Sequence, residues 1–234
     1  METALYLIPV TLGDTTIEKV LPSYNKEIIL GIKHFIVEDV RSARRFLKKV
    51  ERSINIDELS FYTLNKHTSA EEISGYLKPL LGGESMGVIS EAGCPAVADP
   101  GADVVAIAQR KNLKVVPLVG PSSIILSVMG SGFNGQSFAF HGYLRIDPSE
   151  RIKRIKVLEQ RIYSENQTQL FIETPYRNNR LIAELCRSLP GNMRLCVASD
   201  ITGARQSIVT LPLSKWAKRE YNYDKTPTIF LLYS

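Results

Sequence analysis

Glu38, Asp39 and Arg41 stand directly behind the apolar run His34-Phe35-Ile36-Val37. A carboxylate at the end of a buried strand is placed to take a proton from an acceptor hydroxyl. An arginine beside it can grip a phosphate or carboxylate with two parallel hydrogen bonds. The same spacing also fits a structural role, because Asp39 would cap a helix starting near Val40. Three loops rich in glycine and proline add a second kind of chemistry. They are Pro9-Val10-Thr11-Leu12-Gly13-Asp14, the stretch SEAGCPAVADPG from Ser90 to Gly101, and Val119-Gly120-Pro121-Ser122-Ser123. Loops that close on a ligand use glycine for near backbone approach and proline for rigidity. The hydroxyls of Ser122 and Ser123 can cap a helix or bond a ligand. One such loop alone is ordinary turn chemistry; three on one sheet edge form a ligand platform.

Other chemistries find no footing. Gly130-Ser131-Gly132-Phe133-Asn134-Gly135 has the letters of a dinucleotide fingerprint. A helix-like segment precedes it and a strand-like one follows, the reverse of the required order, so it reads as a helix end and turn. No phosphate-binding G-x-x-x-x-G-K-[ST] occurs. His34, His67 and His141 lie far apart, no Cys or His pair has ligand spacing, and no metal is expected.

The elements that must carry these residues follow from apolar patterning. Leu5–Val10, His34–Asp39, Met86–Glu91 and Lys114–Val119 are each an apolar run with an abrupt polar or proline exit. Helix-like spans lie between and after them at 41–50, 69–81, 103–111 and 122–129. Alternating strands and helices predict an α/β fold, and unbroken apolar runs predict strands covered on both faces. The texture changes at 142–150, and a basic helix follows from Pro148, capped by Asp147 or Ser149. Strands are then expected at 168–173, 193–199, 206–211 and 226–233, with one short helix among the last three. The expected division is 1–144, with a mostly parallel sheet, and 145–234, with a mixed sheet.

The 234 residues are 44% hydrophobic and 23% charged, an ordinary globular composition with length for one or two domains. The short apolar runs span no membrane, and the N-terminus lacks a signal-peptide pattern. Cys94, Cys186 and Cys196 are too few and scattered for a disulfide framework, so a cytoplasmic protein is expected. The net charge is +5. Residues 33–52 carry +4 and residues 145–161 carry +3, leaving the rest at −2. Clustered cations suit a phosphate-bearing or polycarboxylate partner, or else form solvated helix faces.

The second loop, SEAGCPAVADPG, resembles the S-D-A-G-T-P-x-x-S-D-P-G signature of the ribosomal RNA small-subunit 2′-O-ribose methyltransferase I group. That group is part of the tetrapyrrole methylase superfamily, whose members use S-adenosylmethionine. Val37–Arg41 is similar to its A-E-D-T-R, Val116–Ser123 to its V-P-L-P-G-P-S-A, Phe138–Leu144 to its F-x-F-x-G-F-L, and Phe171–Arg177 to its F-Y-E-S-P-H-R. The five motifs come in the same order and cover most of the chain. Departures are Cys94 for threonine, Glu91 for aspartate and Val40 for threonine. The first loop is looser than the family's, and Ser199–Gly203 keeps only the threonine context of a late motif. No counterpart of the C-terminal helical segment of many ribosomal members is seen.

The resemblance implies two α/β domains of the tetrapyrrole methylase type with a cofactor cleft between them. It implies S-adenosylmethionine as cofactor, S-adenosylhomocysteine as product, and no metal. Its cofactor contacts fall on Pro9, Leu12, Gly13, Ser90, Glu91, Ala92, Gly93, Ala98, Asp99, Ser122 and Ser123, then on Glu173, Thr174, Thr202, Pro227 and Thr228. Asp14, Glu38, Asp39 and Arg41 would border the acceptor, with Asp39, Glu38 and Arg41 the catalytic candidates. The expected reaction is methylation of a ribose 2′-hydroxyl of small-subunit ribosomal RNA. A tetrapyrrole- or corrin-like acceptor, or a non-catalytic adenosylmethionine-binding module, are the alternatives. A homodimer is implied as well; Trp216, Tyr221 and Tyr223 are either its aromatic contact area or part of the core.

Overall fold

A computed structural model of the protein describes residues 1–65 and 67–234. The first unit, Met1–Ser122, begins with β1 (Leu5–Ile8), α1 (Ile17–Val20), α2 (Ser23–Leu30), β2 (His34–Val37) and α3 (Val40–Val50). It continues with β3 (Ser60–Thr63), α4 (Ala70–Tyr76), α5 (Lys78–Leu81), β4 (Met86–Ile89), α6 (Gly101–Arg110) and β5 (Val115–Pro117). Its five strands lie in the order β3-β2-β4-β1-β5, and every pairing is parallel. β1 shows why an unbroken apolar run suits this sheet. Its side chains alternate between faces: Tyr6 and Ile8 pack with Ile28, Ile29, Leu47 and Val50 from α2 and α3. Leu5 and Leu7 pack with Ile73, Leu77, Val104 and Ile107 from the other side.

The second unit, Ser123–Ser234, contains α7 (Ser123–Ser131), β6 (Phe138–Tyr143), α8 (Pro148–Glu165), β7 (Thr168–Ile172) and α9 (Asn178–Ser188). Then come β8 (Arg194–Ser199), β9 (Ser207–Pro212), α10 (Leu213–Trp216) and β10 (Thr228–Tyr233). The order is β6-β7-β10-β8-β9; β6 and β7 are parallel and the other pairs antiparallel. This is the mixed sheet expected of the second half. Ile155, Leu158 and Ile162 of α8 and Leu181, Ile182 and Leu185 of α9 cover one face. α7 lies against β8, β9 and β10. Gly130 permits that approach, since a Cβ there would stand 2.6 Å from Ile208 Cδ1.

The compact units divide after Ser122, whereas the change in texture placed the division at 144/145. The reason is packing: α7 rests on the second sheet, and β6 joins it through β7. α7 ends at Ser131 and Gly132 follows with φ 73°, so the glycine-rich letters there are a helix end, as expected. Trp216, Tyr221 and Tyr223 do not form a surface patch. Their rings pack on one another, Trp216 is fully buried, and its Nε1 donates to Leu195 O at 2.9 Å. Trp216 and Tyr223 belong to the second core, and Tyr221 packs partly buried against it. No helix among the described residues is long and apolar enough to cross a membrane.

Candidate functional site

Parallel pairing brings the carboxyl ends of β1, β2, β4 and β5 to one edge of the first sheet. The three glycine- and proline-rich loops leave from that edge and are tied together. Val10 N donates to Gly93 O at 2.9 Å, joining the first loop to the second. Cys94 Sγ lies 3.5 Å from Pro121 O, joining the second to the third. Asn25, buried on α2, donates to Val119 O at 2.8 Å and anchors the third loop from below. Gly93 sits at the junction with φ 70°. A Cβ there would stand 3.0 Å from Leu12 Cδ2 and 3.3 Å from Pro121 O, one atom from each neighbouring loop. Gly120 is as tightly held, since its Cβ would fall 2.2 Å from Pro9 Cβ.

The second loop also stores strain. Ala96 and Ala98 have φ 66° and 61°, where a Cβ is disfavoured. Asp99 ties the loop on either side of Ala98: its Oδ1 accepts from Ala96 N at 3.0 Å and Gly101 N at 2.7 Å. Burial pushes the Asp99 carboxyl up, against those two hydrogen bonds. Ser90 is buried, while Glu91, Ala92, Ala98 and Gly13 are exposed. Leu12 and Ser122 are half-buried, and Ser123 begins α7 in the second unit.

Glu38 and Asp39 differ although adjacent. Asp39 is the N-cap of α3, and its Oδ1 accepts from Ser42 N at 2.7 Å, which holds its carboxyl below the usual range. The capping alternative is therefore present in the structure. Glu38 is half-buried and turned toward the second loop. Burial pushes its carboxyl up, the Asp99 charge adds to this, and the Glu91 backbone N–H opposes it. Arg41 is exposed on the first turn of α3.

The second unit gathers its own candidates. β10 runs antiparallel to β7 and β8, with Ile229 opposite Ile172 and Thr228 opposite Ser199. Glu173, Thr174, Thr202, Pro227 and Thr228 therefore meet at one end of that sheet. Asp200 N donates to Pro227 O at 3.0 Å and Thr228 Oγ1 donates to Ser199 Oγ at 3.0 Å. Thr202 has φ 68°, a rare conformation for a β-branched residue. Glu173 is buried, and its Oε1 accepts from Thr174 N at 2.7 Å.

Arg151 is what sequence reading missed. It lies in the basic stretch expected to face solvent or phosphate, yet it is 4% exposed. Its Nε donates to Glu184 Oε1 at 2.9 Å, and its Nη1 lies 3.8 Å from Glu173 Oε2. Arg177 approaches the other oxygen of Glu173 at 3.3 Å. The signal was present: residue 151 falls on the same helical stripe as Ile155, Leu158 and Ile162.

No family model matches the chain. Curated relatives do. Ribosomal RNA small subunit methyltransferase I of Vibrio cholerae is 28% identical over 98% of this chain and 76% of its own length. That of Bacillus subtilis is 26% identical over 92% of this chain and 70% of its own. That of Xylella fastidiosa is 30% identical over 79% and 64%. Among solved structures, the methyltransferase CobJ aligns with a TM-score of 0.64 at 13% identity, covering 99% of this chain and 94% of its own. Diphthine synthase also aligns at 0.64, with 15% identity, covering 98% and 90%. The chain is thus similar in sequence, over nearly all its length, to the ribosomal RNA small subunit methyltransferase I group, and its two units share the fold of the tetrapyrrole methylase type, as the five motifs imply.

Proposed function

We propose that this protein is an S-adenosylmethionine-dependent methyltransferase whose acceptor is a ribose 2′-hydroxyl of small-subunit ribosomal RNA. The observation that carries the reading is the knot of three loops around Gly93, in a chain whose likeness to enzymes of that name covers 98% of its length. The residues present fit the cofactor. Gly13, Ala92 and Ala98 are exposed and carry at most a methyl, so a ligand can reach backbone groups there. The exposed Glu91 and half-buried Ser122 offer polar groups beside them. Glu173, Thr174, Thr202 and Thr228 are proposed as a second set of contacts.

When bound, the cofactor supplies a methyl already activated on a sulfonium, so the chain need not supply that electronic activation. The chain's own task is to orient an acceptor and remove its proton. Glu38 is the group for this. Its elevated carboxyl is a better proton acceptor than an ordinary exposed glutamate, and it faces the second loop. Asp39 fixes the start of α3 beside it.

The test uses labelled S-adenosylmethionine with small-subunit RNA, naked and assembled, from a strain lacking the protein. A 2′-O-methyl blocks alkaline cleavage, so label is expected in alkali-resistant dinucleotides. Absence of label from RNA, or label only in mononucleotides, overturns the proposal.

A further inference from the structure

A cavity of about 540 Å³ lies wholly within the first unit, between the first loop, α3 and the end of β4. Its α3 wall includes Ser42, Arg45, Phe46 and Lys49. Its other walls, Leu12 and Gly13 of the first loop with Ser90 and Glu91 of the second, are shared with the proposed cofactor contacts, so the helix wall is the part left to the acceptor. Arg45 and Lys49 are four residues apart, so they share one ridge of the helix. Arg45 Nη2 donates to Ser42 Oγ at 3.3 Å, which steadies the guanidinium over the first turn. Lys49 Nζ is 3.6 Å from Asp14 Oδ1, but the Asp14 side chain is fully exposed. An exposed pair of this kind is weak and yields to a competing anion. Arg41, the anion contact expected from sequence, does not line this cavity; Arg45, one turn later, does.

The two cations stand on the helix wall, and the carboxylates Asp14 and Glu91 stand on the loop and strand walls. Glu38 lies just outside the lining, its carboxyl accepting from the Glu91 backbone N–H. A neutral acceptor would give the cations nothing to bind. A ribose within a polynucleotide carries a phosphate beside its 2′-hydroxyl, so its two ends match the two walls. The volume is in the range of small-ligand sites and suits one nucleotide. We propose that this cavity seats one nucleotide of an RNA strand, with Arg45 and Lys49 binding the phosphate next to the acceptor ribose. The inference rests on the methyltransferase reading for its acceptor and on the cavity for its site.

The test is the double variant Arg45→Gln, Lys49→Gln in the full chain; both side chains are exposed, so the fold is not at stake. RNA affinity is read by fluorescence anisotropy against salt, and KM by methyl transfer. The variant should weaken RNA binding at least tenfold. Its salt slope should flatten by about 0.7, the share of the one phosphate that the two cations hold on a single strand. Affinity for S-adenosylmethionine should stay within twofold. A control, Arg110→Gln, Lys111→Gln, removes the same charge at the C-terminal end of α6 and should leave all three readings unchanged. Native affinity and slope in the cavity variant, an equal loss in the control, a tenfold loss of S-adenosylmethionine affinity in the cavity variant, or no RNA binding by the native chain overturns the site. Loss of RNA binding in the cavity variant, with a native protein that methylates no RNA, keeps the site and overturns the methyltransferase reading.

Discussion

Glu38→Gln separates catalysis from folding. If Glu38 takes the acceptor proton, methyl transfer should fall about 100-fold or more. Affinity for S-adenosylmethionine should not move. Stability should respond in the opposite sense to activity. The Glu38 and Asp99 carboxyls are raised above their ordinary 4.5 and 3.8. Their contribution is complete below those values and is lost as pH rises through the elevated folded-state values. Replacing Glu38 removes one such loss, so the variant should melt at or above the native temperature at pH 7. A fall of several degrees would show that the carboxylate is held by structure rather than merely tolerated. Asp39 behaves differently because it caps α3. Asp39→Asn should preserve stability and Asp39→Ala should cost about 1 kcal/mol in urea unfolding. Equal stability of the two variants would remove the cap from the account.

At the scale of elements, the loop junction makes Gly93 sensitive in a way its sequence context did not reveal. The sequence reading sets a Gly93 side chain against the cofactor. The structure sets it against Leu12 and Pro121, so the damage reaches cofactor affinity through the fit of three loops. Gly93→Val should reduce S-adenosylmethionine binding at least tenfold in calorimetry and lower the melting temperature as well. Gly132→Ala is the comparison: φ is 73° there, but a Cβ meets nothing within 4 Å. It should cost about 1 kcal/mol of backbone strain and leave the ligand affinity intact. Cys94→Thr should be tolerated, since a hydroxyl can donate to Pro121 O where the thiol now lies. Arg151 has the opposite character. Arg151→Met leaves the buried Glu184 without its cation, Glu173 keeping Arg177, and should cost about 3–5 kcal/mol in urea unfolding. A cost under about 1 kcal/mol would mean the network is not what holds α8 to α9.

At the scale of the molecule, each unit has its own cores and the division falls between Ser122 and Ser123. A fragment of residues 123–234 should unfold cooperatively and show dispersed amide resonances. A fragment of residues 145–234 lacks α7 and the edge strand β6, which leaves the face of β8–β10 uncovered and β7 unpaired on one side. It should be insoluble or unfolded. If the shorter fragment folds and the longer one gains nothing, the division belongs near 145.

Apolar patterning alone determined most strands. β1, β2, β4, β8 and β10 follow the expected runs because an interior strand covered on both faces is apolar along its length. β7 follows its run too, and so do β5 and β9, which are partly exposed sheet edges that kept enough apolar residues to be seen. β3, with the sequence Ser60-Phe61-Tyr62-Thr63, was not legible: it is a sheet edge, partly exposed, and needs no such run. α2 and α9 were likewise unmarked. Their buried faces include Asn25 in one and Asn178 and Glu184 in the other, polar residues whose burial depends on partners distant in the chain. That Glu38, the three loops and Gly93 lie at strand ends was legible, because strand ends, glycine and proline announce themselves locally. What only tertiary structure decided was which charged groups remain available. Asp39 is engaged by its own helix, Arg151 is taken up by buried glutamates, and Arg45 rather than Arg41 lines a cavity. Charge is written in the sequence, but its availability is set by the elements that pack around it, and no local pattern encodes them.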